Sequence, residues 1–257
     1  MVKKMKNFNG ITIKSRREIE IMREGGRRLS EIKHNLMSMV KEGVSAWEIE
    51  EQADKQIVRL GGRPSFKMVP GYHWATCINV NEGIVHGIPK KEMVFKNGDL
   101  VSVDLGMFFE GFHTDTSFSL LIGKDKKKEN FLKAGKEALD LAIDNARAGK
   151  RIYHISKAIE ERLKKSGFKA VRSLFGHGIG KELHEEPQIP GFVYTEAQNT
   201  PEIKVGMVFA IEVIYVSGGE QLVIEKDGWT ISTQDGKISA LFEDTVAVTP
   251  QGPLVIT

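Results

Sequence analysis

The sequence of 257 residues predicts an α+β fold in which helices cover one face of an antiparallel sheet. Segments with apolar residues at helical spacing occur as two pairs, one near the N-terminus and one in the middle of the chain. Each pair precedes a series of extended, alternating segments, which is typical of hairpins rather than of parallel βαβ units. We therefore expect the helices on one face of the sheet and a functional site on the other.

Four helices are expected from capping signals and apolar spacing. The first begins after Ser15, which forms a capping box with Glu18. Glycines close the second and fourth helices. The ranges expected for the other three helices are 45–60, 127–148 and 152–166. The lysine-rich run 124–128 is interpreted as a solvated connector between two halves of the chain.

Extended segments follow each pair of helices. They are expected at 75–80, 83–86, 100–109 and 112–121, and then near 171 and at 207–216, 222–225 and 240–248. Because the order of two helices followed by strands occurs twice, we expect two structurally similar halves, about 15–123 and 127–250. They would form one domain over 1–257, with 1–14 as an N-terminal extension.

Composition excludes several classes of protein. Cys77 is the one cysteine, so an intrachain disulfide and a cysteine-based zinc site are excluded, and a reducing cytoplasm is expected. The basic N-terminus lacks the apolar core of a signal peptide, and no apolar run has the length of a membrane span.

The net charge of +3 is too small to predict specific nucleic-acid binding. Several basic residues nevertheless cluster in and just before the first helix, namely Lys14, Arg16, Arg17, Arg23, Arg27 and Arg28. They are interpreted as a solvated helix face, with contact to an RNA-rich surface such as the ribosome as the secondary interpretation.

Two aspartates lie inside apolar, strand-like segments. Asp104 follows alternating apolar residues, and Asp115 stands beyond a turn at 110–111. A two-residue loop would place Asp104 opposite Ser117 and both carboxylates on one face of the hairpin, whereas a three-residue loop would place them on opposite faces. Because unpaired carboxylates are costly in a dry sheet, the pair predicts a metal site or, alternatively, a turn cap and a lysine partner.

Two glutamates occupy comparable positions in later strands. Glu212 is the one acid at the centre of an apolar segment, and Ala210 leaves space on the same side. Glu243 shares a strand face with Leu241 and Thr245. For either glutamate alone, an edge strand or a lysine partner is the alternative explanation.

Histidines stand beside glycines in two segments, 81–89 and 176–187. The glycines of the second segment exclude a helix and allow the backbone to approach a ligand, so 176–187 is predicted to be a functional loop. It contains His177 and His184, and the first segment contains His86. A hydrogen-bonding role in the core or in a turn is the alternative for any one of these histidines.

Four carboxylates and one imidazole together predict a site for two metal ions. The five side chains are those of Asp104, Asp115, His177, Glu212 and Glu243. Oxygen-rich ligands with one imidazole suit Mn, Fe or Co, and Zn is an alternative. Two divalent cations cancel four negative charges, and a water bridging them would lose a proton easily to give a hydroxide nucleophile. That is the chemistry of a hydrolase.

From Ser15 to the C-terminus, the order and spacing of these motifs resemble the methionine aminopeptidases of the bacterial type I class. The resemblance implies the pita-bread fold, a curved antiparallel sheet with pseudo-twofold halves and helices on its outer face. The interval from Glu212 to Glu243 is too short for the helical insertion of type II enzymes. We also expect a minimal catalytic domain, because the N-terminus lacks the cysteine-rich zinc-binding extension of some type I relatives.

The resemblance also implies a role for each site residue. The implied ligand set is Asp104 on one metal, Asp115 and Glu243 bridging both, and His177 with Glu212 on the second. His86 and His184 would contact the substrate backbone and the scissile carbonyl or its tetrahedral intermediate. Glu212 would in addition carry a proton.

By the same resemblance Tyr72, Cys77 and Trp229 would form the walls of a methionine pocket, although each has a packing alternative. The chain departs from the family at two places. Val213-Ile214 follows Glu212, where the family usually has proline and methionine, and Asp244 stands where it usually has histidine. Neither change removes a ligand, but both could alter the surroundings of the metals.

The resemblance therefore implies an enzyme that removes the initiator methionine from nascent polypeptides with a small second residue. It would use two divalent ions, which could be Co, Mn, Fe or Zn. We expect it to act in the cytoplasm as a monomer. A proline-specific aminopeptidase or prolidase would share the five ligands but usually carries a further N-terminal domain. A non-catalytic binding protein on this fold would lack some of the ligands, and all five are present here.

Overall fold

A computed structural model describes residues 10–257 of the chain. This part contains four α-helices, α1 (Arg16–Met39), α2 (Ala46–Arg59), α3 (Lys126–Asn145) and α4 (Ile152–Lys165).

The predicted capping box of α1 is confirmed, because the Ser15 hydroxyl accepts from the Glu18 N–H and the Glu18 carboxylate accepts from the Ser15 N–H. The interpretation of 124–128 as a connector is wrong for its second half. Asp125 caps α3, so the helix already begins at Lys126.

Thirteen strands are present in the same residues, and all pairings between them are antiparallel. Those of the first half are β1 (Arg63–Pro64), β2 (Thr76–Val80), β3 (Gly83–Val85), β4 (Leu100–Phe109) and β5 (Phe112–Leu121). Those of the second half are β6 (Lys169–Ala170), β7 (Phe175–Gly178), β8 (Glu185–Pro190), β9 (Val208–Val216), β10 (Leu222–Ile224), β11 (Ile231–Thr233), β12 (Ser239–Thr249) and β13 (Gly252–Val255).

Ten strands form one sheet, whose main path is β1-β4-β5-β12-β9-β7-β8. Strands β2, β6 and β13 pair with β4, β9 and β12, and a small sheet runs β10-β11-β3. The segment 176–187, predicted to be a loop, contributes to β7 and β8, so only its middle is loop. Its glycines do exclude a helix, but β9 supplies strand partners that the local sequence does not reveal.

The helices cover one face of the large sheet, as expected. Val101, Val103 and Leu105 of β4 are buried in a cluster with apolar side chains of α1 and α2. Phe209 and Ile211 of β9 are buried in a second cluster with α3 and α4. Side chains alternate along each strand, so the intervening residues point to the opposite face. That face carries the acidic residues identified from the sequence.

The hairpin between β4 and β5 has the two-residue loop that places both aspartates on one face. Glu110 and Gly111 have φ values of +46° and +92°, as in the type I′ turns that fit the twist of a hairpin. Phe109 therefore lies opposite Phe112, and Asp104 lies opposite Ser117. A change of one residue in this register would turn one aspartate toward the helices.

The residues between Glu212 and Glu243 include strands β10 and β11 but no helix, which agrees with the expected lack of a helical insertion. Across residues 10–257, none of the helices has both the length and the apolar character needed to cross a membrane.

Candidate metal centre

Four neighbouring strands place polar side chains in one transverse row on the face away from the helices. Asp104 of β4 lies opposite Ser117 of β5, and Ser117 lies opposite Glu243 of β12. Glu243 in turn lies opposite Glu212 of β9. Because directly opposed residues share a sheet face, the three carboxylates and the hydroxyl point to the same side.

A second row, two residues along the strands, supplies the other two predicted ligands. Asp115 lies opposite Gly106, and His177 lies opposite Ala210. Between them, the Thr245 hydroxyl accepts from the Asp115 N–H at 2.9 Å and donates to the Asp115 carbonyl at 2.8 Å. Thr245 thus fixes the Asp115 backbone.

Three of the five predicted ligands form a compact group. Ligand atoms of Asp115, His177 and Glu243 all lie within 4.8 Å of one another. Asp104 and Glu212 lie outside this group but line the same cavity. The structure thus brings all five side chains to one cavity, with three of them close enough to share a single ion.

Burial and mutual repulsion both disfavour the charged forms of these carboxyl groups. In the part of the chain that the structure describes, no lysine or arginine forms an ion pair with Asp104, Asp115, Glu212 or Glu243. Burial and the neighbouring carboxylates raise the pKa of Asp104, Asp115 and Glu243 well above the ordinary range. Burial raises the pKa of Glu212 to about 7.

The donor atoms fit divalent cations. Among residues 10–257, the buried Asp104 Oδ1 has no hydrogen-bond partner. His177 Nδ1 donates to the Gly178 carbonyl at 2.8 Å, which directs the lone pair of Nε2 away from that carbonyl. Burial lowers the pKa of His177 to about 4, so the imidazole is neutral at pH 7, as a metal ligand must be. Cations would also offset the repulsion among the carboxylates.

Two more histidines stand at the rim of the cavity. His86 follows β3 with a φ of +56°, an uncommon backbone conformation for a residue with a side chain. The ring of His184, in the connection between β7 and β8, packs edge-on against His177 with 4.5 Å between ring centroids. Burial lowers the pKa of both His86 and His184, so each is a neutral donor or acceptor at pH 7.

Aromatic and apolar side chains form the remaining wall of the cavity, whose volume is about 290 Å³. Tyr72 packs edge-on against Trp229, with ring centroids 5.1 Å apart, and Cys77 lies opposite Asp104 in the β2–β4 pairing. All three predicted pocket residues therefore line the same cavity as the acids.

Two residues near the site were not predicted to have a role. Phe66 lines the cavity but lies in a short 3-10 turn without any periodic pattern. Ser117 is the second. The signal for Ser117 was available, because the predicted hairpin already placed this hydroxyl opposite Asp104.

Comparison with known proteins identifies the family. The model of metallopeptidase family M24 matches residues 20–250. A methionine aminopeptidase of Aquifex aeolicus is 40% identical, over 96% of this chain and 98% of the relative. Methionine aminopeptidase 1 of Bacillus subtilis is 38% identical, over 96% and 99%. The chain belongs to metallopeptidase family M24, in its methionine aminopeptidase branch.

Solved structures agree with this family assignment. The crystal structure of methionine aminopeptidase from Thermotoga maritima superposes with a TM-score of 0.93 at 36% identity, covering 96% of this chain and 99% of the other. Prolidase from Pyrococcus furiosus has a TM-score of 0.75 at 23% identity and is matched over 65% of its length, which indicates a shared fold only.

The family assignment confirms the main expectations from the sequence. The resemblance to methionine aminopeptidases is confirmed, and the fold is the α+β pita-bread fold. As an M24 metallopeptidase the chain is a metal-dependent hydrolase, and the Asp115, His177 and Glu243 group is consistent with divalent cations.

Proposed function

We propose that this chain removes the N-terminal methionine from nascent polypeptides whose second residue is small. The observation that carries the proposal is one cavity with a row of uncompensated carboxylates on one side and a compact aromatic wall on the other. The methionine aminopeptidases named above, which match nearly the whole chain, support the same activity.

The proposed ligands of two divalent ions are the four acids and the one histidine of the two rows. Asp104 would bind one ion, Asp115 and Glu243 would bridge both, and His177 with Glu212 would bind the second. The central position of Asp115 and Glu243, on adjacent strands β5 and β12, supports a bridging role. Bound divalent cations would supply Lewis-acid activation of a water molecule and of the scissile carbonyl.

The chain's own residues would bind the substrate and move the proton. Glu212 is suited to accept a proton from the attacking water and return it to the leaving amine, because its carboxylate lines the same cavity beside the other proposed ligands. His86 and His184, as neutral imidazoles, would hold the substrate backbone and donate to the carbonyl oxygen on which negative charge develops.

Tyr72, Cys77 and Trp229 would receive the methionine side chain. Aromatic ring edges make favourable contacts with a thioether sulfur, and these side chains exclude water from that side of the cavity. The limited volume of about 290 Å³ supports a preference for a small second residue.

The cellular setting is part of the proposal. We propose that the enzyme acts in the cytoplasm, because initiator methionines are removed as chains are synthesised. We also propose a monomer with one catalytic domain over 1–257, built from two similar halves. Contact with the ribosome would rest on exposed Arg16 and Arg17. The later arginines are weaker candidates, since Arg23 and Arg27 already pair with Glu20 and Glu24.

The deciding experiment compares two peptide series. Protein stripped of metal and reconstituted with Mn, Fe, Co or Zn should release methionine from Met-Ala-Ser and leave Ala-Pro peptides intact. Cleavage of the proline series alone would contradict the proposal and favour a prolidase-like activity. Protein treated with a chelator serves as the control and should cleave neither series.

A further inference from the structure

The segment before α1, residues 11–14, crosses the connection between β7 and β8. Ile11 forms a parallel bridge with Glu186, and the Lys14 N–H donates to the Gly206 carbonyl at 2.7 Å. These backbone bonds hold the segment, here named the N-terminal arm, against the edge of the large sheet. The side chain of Lys14 is thereby directed inward.

The Lys14 ammonium forms a buried ion pair at this crossing. Its Nζ lies 2.6 Å from Glu185 Oε2, and the two side chains are 5% and 7% exposed. The Thr12 hydroxyl donates to the same carboxylate and accepts from Lys14. On its other oxygen, Glu185 accepts from the Glu182 N–H at 3.3 Å. One carboxylate thus joins the arm to the connection.

Gly180 makes this arrangement sterically possible. A Cβ atom at this position would lie 2.5 Å from Lys14 Cε and 2.7 Å from Glu185 Oε1, closer than such atoms can approach. The backbone of Gly180 is itself fixed, because its carbonyl accepts from the His113 N–H at 2.7 Å and its N–H donates to the Glu182 carbonyl at 3.1 Å. A side chain at this position would therefore displace the end of Lys14 or the Glu185 carboxylate.

The ion pair stands one residue away from a side chain of the proposed site. His184 directly precedes Glu185, and its ring packs against His177. The β7–β8 ladder does not hold His184, because the register shifts between His177 and Gly178 and the pairing resumes only at Glu185. The Glu185 backbone is paired with Gly178, and the Lys14 ion pair holds the Glu185 side chain, so both contacts help to set where His184 lies.

We propose that Lys14 is a positioning residue that acts through Glu185 to hold the His184 imidazole at the rim of the metal centre. The role of His184 rests on the proposed function, whereas the mechanical link rests on the contacts of the arm. An ion pair that served only global stability would lower the melting temperature when broken, without loosening this connection in particular.

The test compares Lys14→Met with Lys33→Met by hydrogen exchange and mass spectrometry. Lys33 is a matched control, since its ammonium pairs with Asp244 at 2.7 Å and the side chains are 13% and 9% exposed. In Lys14→Met we expect residues 179–186 to exchange roughly tenfold faster or more, with other segments unchanged. Lys33→Met should not accelerate exchange in 179–186.

Kinetics on the metal-loaded enzyme provide the second readout. Because His184 is proposed to act on the scissile carbonyl, Lys14→Met should lower kcat roughly 10- to 100-fold with KM little changed. Its affinity for Mn²⁺, measured by titration calorimetry, should equal that of the wild type. Gly180→Ala keeps both charges but blocks the crossing, so it should reproduce both effects and remains informative if Lys14→Met fails to fold.

The outcomes separate the two proposals. Unchanged exchange at 179–186 in both Lys14→Met and Gly180→Ala, or equal acceleration in Lys33→Met, would overturn the positioning role. Failure of the wild-type enzyme to cleave methionine peptides would overturn the proposed function instead. Faster local exchange would in that case still support the mechanical link between the arm and His184.

Discussion

Glu243 on β12 lies directly opposite Glu212 on β9. Like charges at directly opposed positions destabilise a sheet, and Asp104 and Asp115 add to the same local charge. A fold retains such an arrangement where a bound cation neutralises the carboxylates. The protein without the cation is therefore less stable than the complex.

The metal-free protein should lose stability as the pH rises. Asp104, Asp115 and Glu243 have raised pKa values, and that of Glu212 is about 7. Unfolded carboxyl groups release protons near pH 4, whereas these folded ones retain them, so the four carboxyls lower the free energy of unfolding as the pH rises. The buried histidines, with lowered pKa values, have the opposite effect up to about pH 6.5, so the net fall is expected above that pH. Thermal unfolding in the presence of a chelator checks this.

Addition of Mn²⁺ to the same samples should reverse that trend. An ion present at about 100 times its Kd would stabilise the fold by about 2.7 kcal/mol, and the gain should be larger at pH 8 than at pH 5.5 because the ligands must be deprotonated. A melting temperature of metal-free protein that increases between pH 7 and pH 8, where the histidines no longer titrate in either state, would contradict the proposed charge repulsion.

Asp115→Asn should separate stability from metal binding. The amide has the shape of the carboxylate but removes one charge from the group, so the metal-free variant should melt at a higher temperature than the wild type at pH 8. It should also lose the rise in melting temperature on Mn²⁺ addition, and turnover should be abolished, as should that of Asp115→Ala. Near-normal activity in either variant would argue against a two-metal site.

Ser117→Ala should weaken metal binding. Within the described residues, the Ser117 hydroxyl is buried without a hydrogen-bond partner and stands between Asp104 and Glu243. Such a hydroxyl can donate to a ligand carboxylate, and loss of a supporting group of this kind typically lowers metal affinity roughly 10- to 100-fold. Titration calorimetry with Mn²⁺ measures the change.

The matched control for this hydroxyl is Ser156→Ala. Ser156 on α4 is also buried without a partner among residues 10–257, but it lies on the helical side of the sheet. Its removal should leave the Mn²⁺ affinity unchanged. Equal affinities for all three proteins would rule out a role for Ser117 at the metals.

Trp229→Ala should weaken substrate binding more than catalysis. Trp229 contributes an aromatic edge contact to Tyr72 in the proposed methionine pocket. Loss of a contact of about 1.4 kcal/mol corresponds to a tenfold change, so KM for Met-Ala-Ser should rise about tenfold with kcat nearly preserved. Trp47→Ala, which removes a partly exposed indole from α2, is the control and should leave both constants unchanged.

Local signals in the sequence determined most of the secondary structure. The capping box at Ser15 and the glycine stop at Gly61 act within one helical turn, so the start of α1 and both ends of α2 were predicted within one residue of those observed. The turn residues Glu110 and Gly111 predicted the β4–β5 hairpin but left its loop at two or three residues, and the structure has the two-residue loop. The charges in apolar strands then identified the acids, because burial makes an unpaired carboxylate costly wherever it occurs.

Only the tertiary structure decided how these acids meet. No local pattern places β12 between β5 and β9, a pairing that brings Glu243 beside Ser117 and Glu212 from distant parts of the chain. Strands β7 and β8 were missed for the same reason, since their glycine-rich sequence has little strand preference and depends on the edge of β9.

The link between Lys14 and Glu185 was equally hidden, because it joins residues that are 171 positions apart. The sequence therefore specified which side chains carry the chemistry, and hydrogen bonding between distant strands decided their geometry.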